Sequence, residues 1–259
     1  VNHPNTFFRI AYPAMLAIAG CAGMTAGERP DYHAIVASPE RSEADRQTDL
    51  RRKPELLLAF TEVRRGMKVL DVGAGAGYST ELLARAVGPN GTVYAQESAA
   101  ASPRARERFE DRAKAPAMRN VVRVLRDYDD PVPLAVRDLD LITFFFAYHD
   151  TAFMSVDRAK MNRALFDALK PGGVLVVTDH SAQPGAGTSV VKTLHRIEES
   201  TLRREIEAAG FKLSAEADFL RNPGDPRDAV VFRPQTPVDE FVLKFVKPAQ
   251  NRAAEGNSM

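Results

Sequence analysis

The chain has 259 residues, enough to bury one sizeable core, and its 35 lysines and arginines stand against 34 aspartates and glutamates. That balance provides no field for a nucleic-acid polyanion, and the basic clusters Arg51-Arg52-Lys53, Arg64-Arg65 and Arg104-Ala105-Arg106 read as solvated helix faces interleaved with acids. A single cysteine, Cys21, excludes an internal disulfide, so stability must come from the core.

At the N-terminal end, Arg9 precedes an apolar stretch over residues 10–20 that is too short to span a bilayer as a mature helix. It ends in Ile18-Ala19-Gly20-Cys21, small residues before a cysteine, and so resembles a bacterial lipoprotein lipobox. The resemblance implies a signal peptide over residues 1–20, a lipid anchor at Cys21 and an exported chain at the periplasmic face of a membrane. The competing reading is a secretory apolar region or uncleaved anchor with a chance cysteine. Residues 21–37 carry Gly, Pro and Ser without a clear period and are expected to form a tether or strap. The domain is expected over residues 38–248, with a loose small-residue tail over 249–259.

Ser38-Pro39-Glu40-Arg41 supplies a cap and a first-turn proline for a polar helix containing Asp45, Asp49 and Arg52. Such a helix can be a lid over a site or a solvated face, and the solvated face is the commoner outcome. Pro54 restarts a helix whose apolar face is read as Leu56, Leu57, Phe60 and Val63.

From Met67 strands and helices alternate, which predicts a parallel sheet with right-handed crossovers. Strands are expected over 66–72, 92–96, 121–125, 138–146, 174–178, 211–219 and 241–246, with helices over 79–87, 102–117, 157–169 and 200–209. Between the first strand and its helix lies Gly73-Ala74-Gly75-Ala76-Gly77-Tyr78. Its glycines let the backbone take φ > 0 and lie directly against a ligand, and the following helix points free N–H groups at it. Tyr78 stands where the dinucleotide fingerprint needs its third glycine, which argues against an NAD-dependent oxidoreductase. Glu97, about 20 residues beyond the loop at the end of the next strand, can accept both ribose hydroxyls of an adenosine.

Asp71, its apolar strand and this loop resemble the first motif of the class I S-adenosylmethionine-dependent methyltransferases. A helix followed by Lys170-Pro171-Gly172-Gly173 and an apolar strand resembles the entry to that family's fifth strand. Tyr148-His149-Asp150, Asp179-His180-Ser181-Ala182, Leu194-His195-Arg196 and Leu220-Arg221-Asn222-Pro223 are similar to stretches of a group of exported bacterial predicted methyltransferases. The resemblance implies an α/β, Rossmann-like, doubly wound seven-stranded sheet, mostly parallel with a final antiparallel pair, and S-adenosyl-L-methionine as cofactor. It implies that the glycine loop holds the methionine end and that an acid after the third strand accepts from the adenine amino group. Asp127 occupies that position, with Asp129 and Asp130 close by. The expected cofactor set is Asp71, Gly73, Ala74, Gly75, Gly77, Tyr78, Glu97, Asp127, Tyr128 and Phe146.

Ligands of open α/β sheets lie outside the carboxyl ends of the strands, which puts Ala147-Tyr148-His149-Asp150 opposite the transferable methyl. Tyr148 is expected near that methyl, with His149 or His180 taking the acceptor's proton, helped by Asp150 or Asp179. These histidines can equally be structural. His149, His180 and His195 follow successive elements at what should be one edge of the sheet and, with Asp150 and Asp179, could form a metal site, but no HxxxH or HxH spacing is present and no metal is expected. The leading reading is a methyltransferase acting on a small-molecule or envelope-component acceptor. Its rival is an exported domain that binds S-adenosylmethionine or a nucleoside without catalysis.

Overall fold

The computed structural model describes residues 27–232 and 234–249; the signal-like stretch, Cys21 and residues 250–259 lie outside them. Seven strands form one sheet: β1 (Lys68–Val72), β2 (Thr92–Glu97), β3 (Val121–Leu125), β4 (Leu139–Phe145), β5 (Leu169–His180), β6 (Lys212–Ala217) and β7 (Glu240–Val246). Their order is β3-β2-β1-β4-β5-β7-β6, parallel except for β7, which runs antiparallel to both β5 and β6. The sheet is the one expected from the alternation of elements. Strand order reverses between β1 and β4, which opens a crevice at their carboxyl ends.

The helices are α1 (Tyr32–Val36), α2 (Glu43–Arg52), α3 (Pro54–Thr61), α4 (Tyr78–Val87), α5 (Pro103–Ala113), α6 (Tyr148–Phe153), α7 (Arg158–Ala168), α8 (Val191–Leu194) and α9 (Glu199–Ala208). Alternate residues of the central strands enter two cores, one on each face. Val69, Leu141, Val176 and Val242 pack with Leu57, Leu82 and Leu83. Leu70, Ile142, Leu175 and Leu243 pack with Met161, Leu165, Leu202 and Ile206 on the other side. Among the described residues no helix is long and apolar enough to cross a membrane.

Several boundaries depart from expectation for local reasons. Part of the expected tether is α1, capped by Asp31 and held by the Tyr32 hydroxyl donating to the Val63 carbonyl at 2.8 Å. The polar helix starts at Glu43, because the Ser42 side chain accepts from the Asp45 N–H; Ser38 to Arg41 forms a turn instead. In α3 it is Leu58 that is buried, whereas Leu56 is exposed. Lys170-Pro171-Gly172-Gly173 does not stand outside the fifth strand: Gly172 N–H donates to the Lys247 carbonyl and Lys247 N–H to the Gly173 carbonyl, so β5 begins at Leu169.

Candidate active site

At the end of β1 the chain turns through Gly73, Gly75 and Gly77, all at positive φ. The turn hangs on β2: Gly73 N–H donates to the Gln96 side-chain carbonyl at 3.0 Å, Ala74 N–H to the Gln96 main-chain carbonyl at 2.9 Å, and Gly75 N–H to the Glu97 carboxylate at 2.7 Å. A Cβ on Gly73 would lie 3.0 Å from both the Tyr128 hydroxyl and the Ala147 Cβ, and its φ of +68 strains any L side chain, so glycine is strongly favoured there. A Cβ on Gly75 would meet only the Gly73 carbonyl oxygen, at 3.8 Å, because that face opens on a cavity. Glu97 is 8% exposed and also accepts from Ser98 N–H; burial pushes its pKa up.

Helix α2 lies across this turn. Arg112 of α5 donates to both oxygens of Asp45 at 2.8 and 2.9 Å, to Glu81 of α4 and to the Ala76 carbonyl. Asp49 receives two bonds from Arg41, at 2.6 and 2.7 Å, and one from the Tyr78 hydroxyl at 2.5 Å. Arg51 pairs with Glu240 at 3.3 Å. The polar face of α2 is thus turned onto the domain, and the helix is a lid; the solvated face expected from its composition is corrected. Its charges have partners on α4, α5 and β7, and no periodicity within α2 encodes them. Arg52 packs 4.6 Å from the Phe146 ring centroid and 5.2 Å from that of Tyr78, with its Nε buried and unpartnered. Burial, reinforced by neighbouring Arg51, pushes its pKa down to about 10.

The opposite wall begins where β4 ends. Phe146 takes φ +58, breaking the strand, and α6 follows at once. Tyr148 turns into the core with no exposure, its hydroxyl donating to Glu205 at 2.9 Å and accepting from Asn162 at 2.8 Å. The expectation that Tyr148 stands beside the methyl is therefore corrected: the first turn of α6 rotates it away. His149 is buried, with Nδ1 2.7 Å from Asp179 Oδ1 and Nε2 3.1 Å from Asp150 Oδ1. Burial alone would strip its proton, but the two carboxylates outweigh that and push its pKa up to about 10. Burial would likewise raise Asp179; the imidazolium and backbone N–H groups against it hold it low. Both ring nitrogens of His149 face carboxylates and the side chain does not line the cavity, which corrects the expectation that it takes the acceptor's proton directly. His180 is buried against Phe146, with Nδ1 3.0 Å from Glu240 but too poorly aligned for a hydrogen bond.

The cavity between lid and wall has a volume of about 1190 Å³. Of the expected cofactor residues, Gly73, Ala74, Gly75, Tyr78, Glu97, Tyr128 and Phe146 line it; of the expected catalytic ones, Asp150 alone does. Gly77, Asp71 and Asp127 stand behind it. Gly77 starts α4 with Arg112 and Phe109 packed on it, and Asp127 accepts from the Ser98 hydroxyl at 3.1 Å. Asp71 spends both oxygens on Thr80 and Thr143, at 2.7 Å each, and ties β1 to α4 and β4. Among the residues missed at the cavity are Arg51, Arg52 and Ser98, since a basic run carries no signal of that placement; His195, expected at the same edge of the sheet as His149 and His180, does line the wall.

Burial raises the pKa of Asp71 from 3.8 to about 6. Between those values the unfolded chain has released a proton that the folded chain keeps, so this group's contribution falls as pH rises through that window. The shift corresponds to about 3 kcal/mol. Urea titrations from pH 4 to 7 should show Asp71→Asn gaining on the native chain by that order; parallel curves would refute it.

A glycine loop after β1, a buried acid at the end of β2 and a large cavity at the strand-order reversal together define a class I S-adenosylmethionine-dependent methyltransferase, and S-adenosylmethionine is its cofactor. The site fits that group: Glu97 has lone pairs left for ribose hydroxyls, and Gly75 presents bare backbone to the cavity. The family model described as Protein-L-isoaspartate(D-aspartate) O-methyltransferase (PCMT) matches residues 54–201, and the chain belongs to that family.

The chain is similar to the Protein-L-isoaspartate O-methyltransferase of Ignicoccus hospitalis, 34% identical over 47% of this chain and 51% of the relative. It is also similar to the Ubiquinone/menaquinone biosynthesis C-methyltransferase UbiE of Idiomarina loihiensis, 33% identical over 46% of this chain and 45% of the relative. The chain spans about half the length of these curated relatives. A solved SAM-dependent methyltransferase from Aquifex aeolicus shares the fold, with a TM-score of 0.57 and 21% identity over 84% of this chain and 98% of the other. Helix α2 lies outside the matched residues 54–201.

Proposed function

We propose that this chain methylates an oxygen or nitrogen nucleophile of a small-molecule or envelope-component acceptor seated against Asp150 and His195. The observation that carries the reading is that the glycine loop, Glu97, Asp150 and His195 line one cavity. Its volume exceeds the roughly 300–1,000 Å³ of most single-ligand pockets, which suits a cofactor beside a modest acceptor.

S-adenosylmethionine supplies an electrophilic methyl on a sulfonium. The protein's part is to orient and desolvate. Glu97 holds the ribose, the loop backbone holds the methionine end, and Arg52, which lines the cavity and whose Nε has no partner among the described residues, suits that end's carboxylate. Asp127, which accepts from Ser98 behind the cavity wall, is assigned to the adenine amino group by resemblance alone. Asp150 and His195 are the groups at the wall able to take an acceptor's proton, with His149, gripped by Asp179, positioning Asp150. His180 supports Phe146 from behind. Export and anchoring through Cys21 are part of the proposal and rest on the lipobox-like Ile18-Ala19-Gly20-Cys21 alone.

Mass spectrometry of the protein incubated with S-adenosylmethionine and envelope extract tests both parts. S-adenosylhomocysteine and a methylated acceptor are expected, with Asp150→Asn slowing turnover by about 10²-fold at unchanged cofactor affinity. Cofactor binding without any S-adenosylhomocysteine would instead favour a binding domain without catalysis. Intact mass of the same preparation reads acylation at Cys21.

A further inference from the structure

His149, Asp150 and His195 lie 46 residues apart at most in sequence, yet three of their ligand atoms form a nearly equilateral triangle. His149 Nε2 is 3.1 Å from Asp150 Oδ1 and 3.3 Å from His195 Nδ1, and His195 Nδ1 is 3.5 Å from Asp150 Oδ1. Three ligands bound to one tetrahedral ion at 2.0–2.1 Å would stand roughly 3.3 Å apart. Hydrogen bonds can join these atoms two at a time, His149 Nε2 with Asp150 Oδ1 or with His195 Nδ1, whereas one ion at the centre of the triangle would serve all three at once.

The surroundings match a metal centre as well. The other nitrogen of His149 is held by Asp179 at 2.7 Å, the carboxylate–histidine arrangement that orients a metal-ligating imidazole and raises its basicity. Asp150 and Asp179 bring two negative charges, and among the described residues neither pairs with a lysine or arginine. His195 is fixed at φ +53, a backbone strain that aims its ring at the other two. Asp150 and His195 line the cavity, so the side of the triangle away from buried His149 opens toward the proposed acceptor.

We propose that His149, Asp150 and His195 bind one first-row divalent transition ion, leaving a coordination position open to the cavity for an oxygen donor of the methyl acceptor. Two nitrogens among three ligands select such an ion over Mg²⁺ or Ca²⁺. Three protein ligands with an open position are the pattern of a reactive rather than a structural metal site. Ion binding stands on the triangle alone, the ion replacing the proton that His149 Nε2 otherwise directs at Asp150 and that proton leaving to solvent; only the acceptor's place in the open position rests on the proposed function. That class of acceptor is a hydroxyl or phenol, ionised on coordination with its proton leaving to solvent, or a carboxylate already ionised; with the ion bound, Asp150 and His195 serve as its ligands in place of the proton-accepting role they have without it.

Calorimetric titration of the full chain with Zn²⁺, and separately with Mg²⁺, tests ion binding, and visible absorption of the Co²⁺-loaded protein reads tetrahedral coordination. One equivalent of Zn²⁺, a tetrahedral Co²⁺ spectrum and no Mg²⁺ heat are expected. Asp179→Asn should weaken Zn²⁺ binding about 10–100-fold. His195→Asn should weaken it at least as much, and asparagine tolerates the left-handed backbone there, so the fold is kept. Absence of Zn²⁺ binding, or binding that His195→Asn leaves unchanged, overturns the proposal. S-adenosylmethionine titrated into the same samples separates the two readings: cofactor binding without Zn²⁺ binding sinks the metal site, and Zn²⁺ binding without methyl transfer sinks the proposed function.

Discussion

Gly75→Arg is expected to lower S-adenosylmethionine affinity by at least about 10³-fold, a loss of roughly 4 kcal/mol, while the domain stays folded. Two effects add. Gly75 sits at φ +55, where an L side chain costs roughly 1–2 kcal/mol. Its Cβ direction is empty of protein atoms to 3.8 Å, so the arginine would run into the cavity and occupy the cofactor's place instead of displacing the core. Gly75→Asn separates the terms, since asparagine accepts the backbone conformation and is short; its loss should be much smaller. Calorimetry on both variants checks this, with thermal unfolding as the control for folding. Undiminished binding by a folded Gly75→Arg protein would remove the glycine loop from the cofactor site.

Arg112→Ala should destabilise the protein by about 3–5 kcal/mol, the cost of breaking a buried ion pair rather than a surface one. Arg112 is the hub that joins the lid to the domain. Asp45 is 5% and Glu81 4% exposed, and removing the guanidinium leaves both carboxylates with one strong partner fewer, along with the Ala76 carbonyl of the glycine loop. Glu81 keeps Arg85 at 2.9 Å, whereas among the described residues the Asp45 carboxylate forms no other salt bridge, so the penalty falls mainly on α2. Arg112→Lys should recover only part, because an ammonium cannot reproduce two parallel bonds to Asp45. Urea denaturation of both variants, with a double-mutant cycle to Asp45→Ala, measures the coupling. A total loss under about 1 kcal/mol would make α2 a loosely attached surface helix.

The same contrast between Gly75 and Arg112 marks how far the residues speak for themselves. The seven strands were legible because both faces of the sheet are buried, so each central strand is an apolar run bounded by turn residues, such as residues 139–145 between Asp138 and Phe146, both at positive φ. The cofactor end of the site was legible for a related reason. The glycine loop and Glu97 belong to consecutive strands whose register, Asp71 to Ala95 and Val72 to Gln96, follows from one right-handed crossover.

By itself, then, the sequence determined the sheet, the loop and the acid that ends β2, since each depends on contacts between neighbouring elements with their own periodic signals. Tertiary structure alone decided the rest. Whether α2 is a lid depends on Asp45 meeting Arg112, 67 positions away, and a charge carries no address for its partner. Whether Tyr148 or Asp150 faces the cavity depends on the phase of one helical turn after Phe146, which residue types do not specify. The order of elements placed His149 and His195 at one edge of the sheet, but their ring nitrogens meet at 3.3 Å because β4 and β5 lie side by side and the chain beyond β5 returns over their ends, which no local spacing encodes.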